Sequence, residues 1–165
     1  MLSNLGNILL FGSIIVTLSI IYFAYQNLKE KNILIGKNLV YLSFFQITFI
    51  IASFLLLIFA FIFSDFSLLA VYQNSHTAKP IFYKIAGVWG NHEGSLLLWV
   101  NIMVIFSFLF FLFNYKFNKS YSLYTLLVQN ILILGFLIFL ISNSNPFFKI
   151  LPIPSQGLGL NPILQ

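Results

Sequence analysis

Four long uncharged runs of hydrophobic residues, at 5–25, 39–63, 95–113 and 123–141, alternate with short polar or charged stretches along the 165-residue chain. Each run approaches or exceeds the roughly 20 residues that an α-helix needs to cross a hydrocarbon core. In lipid, every backbone N–H and C=O must find its partner within the protein, so only helices and closed barrels span it. Barrel strands are about half as long and alternate apolar with polar positions; these runs do neither. The pattern predicts an all-α integral membrane protein with four transmembrane helices. The first run is too long for the apolar core of a signal peptide, has no basic stretch before it and ends at no small-residue cleavage site. It is read as a helix that stays.

The connection at 64–94 is too long and too apolar for a simple tether. Pro80 suits the first position of a helix. From there Ile81, Phe82, Ile85, Val88 and Trp89 fall on one face at ~100° per residue, with Lys84 and Gly87 off it. This predicts an interfacial helix between the second and third spans, its aromatic face in the headgroup layer. At 142–165, Asn145-Pro146, Pro152, Pro154, Gly157 and Gly159 break any regular pattern. An irregular tail is expected there, on the same side as 64–94, so that residues 1–165 form a single membrane domain.

Composition sharpens this reading. Hydrophobic residues make up 60% of the chain and charged ones 7%, with mean hydropathy +0.99; a soluble domain is about 25% charged. The net charge of +5 comes from lysine alone. The lysines are not gathered on one face among stacking aromatics, which excludes nucleic acid as a partner. Lys29, Lys31 and Lys37 follow the first span, and Lys116 and Lys119 follow the third. By the positive-inside rule these short connections face the cytoplasm or matrix, and 64–94, the N-terminus and the tail face the opposite side. Lys79 and Lys84 weaken that bias without reversing it. Cysteine is absent, so any thiol chemistry comes from a partner.

The spans hold Gln46, Asn101, Gln129 and Asn130 but no ion. These amides are expected to face other helices, in a bundle larger than four. Without charged residues in the spans there is no proton relay, which argues against a pump or coupled transporter. Phosphate-cradling glycine loops, a nucleophile elbow and paired carboxylates are missing too.

One stretch concentrates the remaining chemistry: Trp89-Gly90-Asn91-His92-Glu93-Gly94-Ser95-Leu96-Leu97-Leu98-Trp99-Val100. A zinc-protease motif would need histidine at position 96, which is Leu96. His76 stands alone in a polar loop, so no metal site is predicted. Asn91 is placed to cap the third span, with Glu93 in its first turn against the helix dipole. Trp89 and Trp99 read as interfacial anchors.

This stretch closely resembles the Trp-Gly-x-His-Glu-Gly-Ser-Leu-Leu-Leu-Trp motif of the CcmF family of cytochrome c maturation. Asp65-Phe66, Val71-Tyr72, Asn74-Ser75 and Pro80 to Tyr83 resemble the family's preceding segment. Ser144-Asn145-Pro146-Phe147 and Leu160-Asn161-Pro162-Ile163-Leu164-Gln165 resemble the segment after its fourth helix. In that family the protein accepts haem from a haem chaperone and attaches it to CxxCH cysteines of apocytochrome c on the outer face. The family's tryptophan-rich segment and haem-liganding histidines lie downstream of the element ending at Gln165. His76 and His92 match none of those ligands. The resemblance therefore implies the N-terminal part of CcmF: helices and motif rather than haem ligands, non-catalytic alone, with haem handled by the assembly. It implies as partners the remaining CcmF-type chains with the tryptophan-rich segment, the haem chaperone, apocytochrome c and lipid. Trp89, Gly90, His92, Glu93, Gly94, Ser95 and Trp99 then form the motif or interaction set. A protonated His92 could meet haem propionates, and Trp89 or Trp99 could stack on a porphyrin. The chain begins with Met1 and has no presequence, and its Phe-, Ile-, Asn- and Lys-rich composition suits an AT-rich mitochondrial genome. A short split-gene product in the mitochondrial inner membrane is expected, the bacterial inner membrane being the alternative. The alternative function is a structural subunit of another membrane complex, such as a respiratory one, that retains a CcmF-like fold.

Overall fold

The computed structural model describes residues 2–30 and 33–159, the side chains of 30 and 33–37 excepted. Lys31, the side chain of Lys37 and the element at 160–165 lie outside the described residues. The chain is all-α, with α1 Leu2–Glu30, α2 Ile33–Ile62, α3 Leu69–Asn74, α4 Ile81–Trp89, α5 His92–Asn114 and α6 Lys119–Asn143. Four of these helices, α1, α2, α5 and α6, are long and apolar enough to cross a membrane. The chain is thus a multi-pass membrane protein. Lys29 belongs to the last turn of α1, so the first lysine-bearing connection is mostly helical.

The four long helices form a ring. α1 packs against α2 and α6, and α5 packs against the same two. Each helix turns a narrow seam inward at alternating steps of three and four residues: Gly6, Leu10, Ser13, Thr17, Ile20 and Ala24 on α1, and Leu39, Ser43, Gln46, Ile50, Ser53 and Leu57 on α2. Such spacing keeps one stripe of a helix against its neighbours. Phe11, Tyr22, Phe44, Phe106 and Phe136 point outward. Small and polar side chains inside with large apolar ones outside invert the arrangement of a soluble bundle. Lipid explains it: tails solvate leucine as well as a core does, so close approach and hydrogen bonds hold transmembrane helices together.

The interior is layered. Ile20, Ala24, Leu39, Phe111, Leu123 and Leu126 fill the end with the short turns, and Ile50, Val100, Val104, Ile133 and Leu137 fill the middle. Leu10, Leu57, Phe61, Val88, Leu97, Leu140 and Phe147 fill the end that carries the motif. Between the first two layers sits a polar node. Gln46 Nε2 donates to Thr17 Oγ1 at 2.7 Å and to Asn130 Oδ1 at 2.9 Å, tying α2 to α1 and α6. Asn101 Nδ2 donates to Leu97 O within its own helix. Gln46, Asn101 and Asn130 are therefore bonded inside this bundle.

At the motif end, α2 stops at a turn where Asp65 N bonds to Ala60 O and Ser64 N to Phe61 O, with Ser64 left-handed at φ 55°. Glycine usually occupies that position. The chain then forms α3 and α4, and α4 rests on α2 and α5. Residues 144–159 contain no helix but are tied down. Leu69 N bonds to Phe148 O, Ile150 N to Ser67 O and Leu158 N to Tyr72 O, and an antiparallel bridge pairs Leu68 with Lys149. Ser3 Oγ donates to Phe147 O at 2.7 Å, and Gly6 leaves room for the Phe147 ring, which a Cβ there would strike.

Candidate functional site

The motif forms the corner between α4 and α5. α4 ends at Trp89, Gly90 follows as its cap, and α5 begins at His92. Asn91 is buried and serves both helices. Its Oδ1 accepts from Gly94 N at 2.7 Å, capping α5, while its Nδ2 donates to Gly87 O at 2.7 Å and Val88 O at 3.0 Å. One side chain thus satisfies a free N–H at one helix start and two free carbonyls at the other helix end, groups that are costly to leave bare. Gly94 faces the Val88 carbonyl so closely that a Cβ would overlap it. Glycine is required there because two backbones meet.

Around this joint Trp89, His92 and Trp99 turn outward, while Leu97 and Val100 point into the core. Glu93 lies in the first turn of α5 and is half-buried, where its charge opposes the helix dipole favourably. Ser95 Oγ donates to His92 O at 3.2 Å. His92 is exposed, and Trp99 is 62% exposed. They are seven residues apart and so share one outward stripe of α5, about 10 Å apart along the axis. Trp89 is 46% exposed at the end of α4. The structure gathers Gly90, Asn91 and Gly94 into the joint and leaves Trp89, His92 and Trp99 facing out around it.

α4 departs from its sequence reading. Lys84 and Val88 are its buried residues, while Ile81, Phe82, Tyr83 and Trp89 are exposed. Val88 joins the core beneath the corner rather than the outward face. Lys84 points inward because its ammonium donates to Ser64 Oγ at 2.7 Å, on the left-handed residue that ends α2. Nothing in the sequence marks this pairing, since a lysine at one helix start and a serine after an apolar run are both ordinary surface residues. The second function of Asn91 was equally hidden, though an asparagine two residues after a helix end and three before a glycine is its trace.

Among the described residues no three His, Cys, Asp or Glu side chains group as a metal site. His76 Nδ1 accepts from Ala78 N within a turn. Lys79 donates to Asn74 O, and partial burial holds its ammonium below the usual lysine range. The arrangement offers an aromatic and imidazole-bearing outward surface on a rigid corner, suited to contact with another molecule.

No protein-family model matches the chain. Cytochrome c-type biogenesis protein CycK of Rhizobium meliloti is 47% identical over 113 residues, 68% of this chain and 17% of the relative. CcmF of Escherichia coli is 40% identical over 114 residues, 68% of this chain and 18% of its own length. CcmF of Haemophilus influenzae is 32% identical over 169 aligned positions, covering 100% of this chain and 26% of that protein. The chain thus spans 17–26% of the length of these curated relatives. The solved structure of cytochrome c heme lyase CcmF shares the fold at a TM-score of 0.80 and 22% identity, over 89% of this chain and 25% of that one. On this evidence the chain belongs to the CcmF family of cytochrome c-type biogenesis proteins and corresponds to their N-terminal portion.

Proposed function

We propose that this chain supplies the N-terminal transmembrane helices and the Trp89–Trp99 corner of a membrane haem lyase assembly for cytochrome c maturation. The observation that carries the reading is the corner itself. The motif that resembles the family's lies at a joint built by Asn91 and Gly94, with Trp89, His92 and Trp99 projecting around it. The chemistry of haem attachment belongs to the remaining CcmF-type chain with its tryptophan-rich segment, working with a haem chaperone and apocytochrome c. This chain orients that machinery from one side. The reading places it in an inner membrane, the mitochondrial one by composition, with α3, α4 and the tail on the outer face. There the exposed Ile81, Phe82, Tyr83 and Trp89 of α4 suit the headgroup layer.

Depletion of the chain tests this. Apocytochrome c should lose its haem while respiratory complexes without c-type haem still assemble, and the chain should co-purify with a CcmF-type protein. Recovery of respiratory subunits alone, with normal haem in cytochrome c, would favour a structural role in another complex. Purified by itself in detergent, the chain should show no bis-histidine Soret band. A band that vanished in His92→Ala would turn His92 from a contact residue into a ligand.

A further inference from the structure

The lipid-facing surface is almost uniformly apolar, but one face departs from that rule. Two shallow grooves of about 260 and 300 Å³ follow one another along α6. Tyr121, Tyr124, Thr125, Val128 and Gln129 line the first, and Ile131, Leu132, Gly135, Phe136 and Phe139 the second. From Tyr121 to Phe139 the helix rises about 27 Å, close to the thickness of a hydrocarbon core.

Two residues there are ill-suited to lipid. Gln129 Oε1 is shielded yet has no hydrogen-bond partner, about 15 Å along the helix from Lys119 and so near mid-depth. Gln46, Asn101 and Asn130, the amides deeper in the spans with it, are all bonded. Gly135 is exposed, and a Cβ added there would meet nothing within 4 Å. The packing of this chain does not call for glycine at that point, although glycine weakens a helix. Small residues in transmembrane helices mark places where another helix comes close. The matched part is 25% of the solved CcmF chain, which leaves most of that chain to supply a covering helix.

We propose that a transmembrane helix from the part of the CcmF-type fold beyond this chain docks along α6 between Tyr121 and Phe139. It backs onto Gly135 and draws the Gln129 amide outward, so that Oε1, which has no partner inside the bundle, accepts a hydrogen bond from a hydroxyl, amide or indole at mid-depth. The proposal rests on the functional reading above, and its test separates the two. A benzoylphenylalanine photo-crosslinker at Val128 and at Leu132, in native membranes, should join this chain to a CcmF-type protein identified by peptides from beyond the matched region. Gly135→Leu should abolish that adduct without lowering the chain's own melting midpoint, because the site is open in the isolated bundle and leucine is the better helix former. Gln129→Leu should reduce the recovered complex by roughly threefold, the factor for one interhelical hydrogen bond in lipid. Adducts only with lipid or with a second copy would overturn the docking face. So would co-purification of the CcmF-type protein that Gly135→Leu leaves intact, with the functional reading still standing. Failure to recover any CcmF-type protein would overturn both.

Discussion

Asn91 joins two helices through one amide, and its two ends can be separated by substitution. Asn91→Asp keeps the oxygen that caps α5 and loses the nitrogen that holds the carbonyls of Gly87 and Val88. Asn91→Ala loses both. Removing a cap costs ~1 kcal/mol, and each buried polar group left bare costs ~1–3 kcal/mol. Thermal unfolding in detergent should therefore rank wild type above Asn91→Asp and Asn91→Asp above Asn91→Ala, the last gap being smaller than a full cap because aspartate leaves its charge facing two carbonyls. At Gly94 the obstacle is steric. Gly94→Ala puts a methyl into the Val88 carbonyl, and the corner opens. Reduced membrane levels and loss of association with the CcmF-type partner should follow, whereas Gly135→Ala, in open space within a helix, should leave the level intact and raise the melting midpoint. The motif letters were legible in sequence, and so was the cap. That Gly94 separates two backbones was not, because contact between α4 and α5 depends on the angle of the turn at Gly90.

The long helices were readable from hydrophobic runs because bilayer thickness sets their length whatever the fold. Their seams were only half readable. Apolar residues surround every transmembrane helix, so an inward Leu57 and an outward Leu55 look alike in sequence; only the small and polar positions hint at the inside. Gln46 and Asn130 gave that hint, and their bond supports a test at the scale of helix pairs. Gln46→Leu and Asn130→Leu should each destabilise the bundle, and the double substitution should cost less than their sum. A coupling of ~0.6–1.7 kcal/mol is expected from interhelical bonds of this kind, read from a double-mutant cycle in detergent-denaturant unfolding. α4 was misread for the opposite reason. A periodicity rule sends lysine outward, yet Lys84 finds its partner at Ser64, twenty residues back. Lys84→Met should loosen the end of α2, and faster amide exchange at Ser64 and Asp65 would register it.

For the whole molecule, sidedness follows from charge in the short turns. The connection at 115–118 and the region around α3 and α4 lie at opposite ends of the ring. The chain has no cysteine of its own, so Asn118→Cys and Thr77→Cys give single labels on a clean background. An impermeant maleimide applied to sealed inner-membrane vesicles should reach one and not the other, with Thr77→Cys labelled from the outer face. Labelling of both from one side would refute the orientation. The irregularity of the tail was legible in sequence, but its attachment was not. Its ties to Ser67, Leu69 and Tyr72 run mostly through backbone groups, which any residue except proline can supply, so prolines and glycines announced irregularity and concealed attachment.

The hydrogen bond from Ser3 to Phe147 spans 144 positions, and that separation sets a clock. A ribosome adds ~5–20 residues per second, so the first helix waits on the order of ten seconds in the bilayer before its last contact is synthesised. Until α2 and α6 arrive, Thr17 has only its own helix to bond with, and the notch at Gly6 stays unfilled. The ring closes only when α6 joins α1 and α5. Nascent α1 is therefore the species that an insertase must shelter.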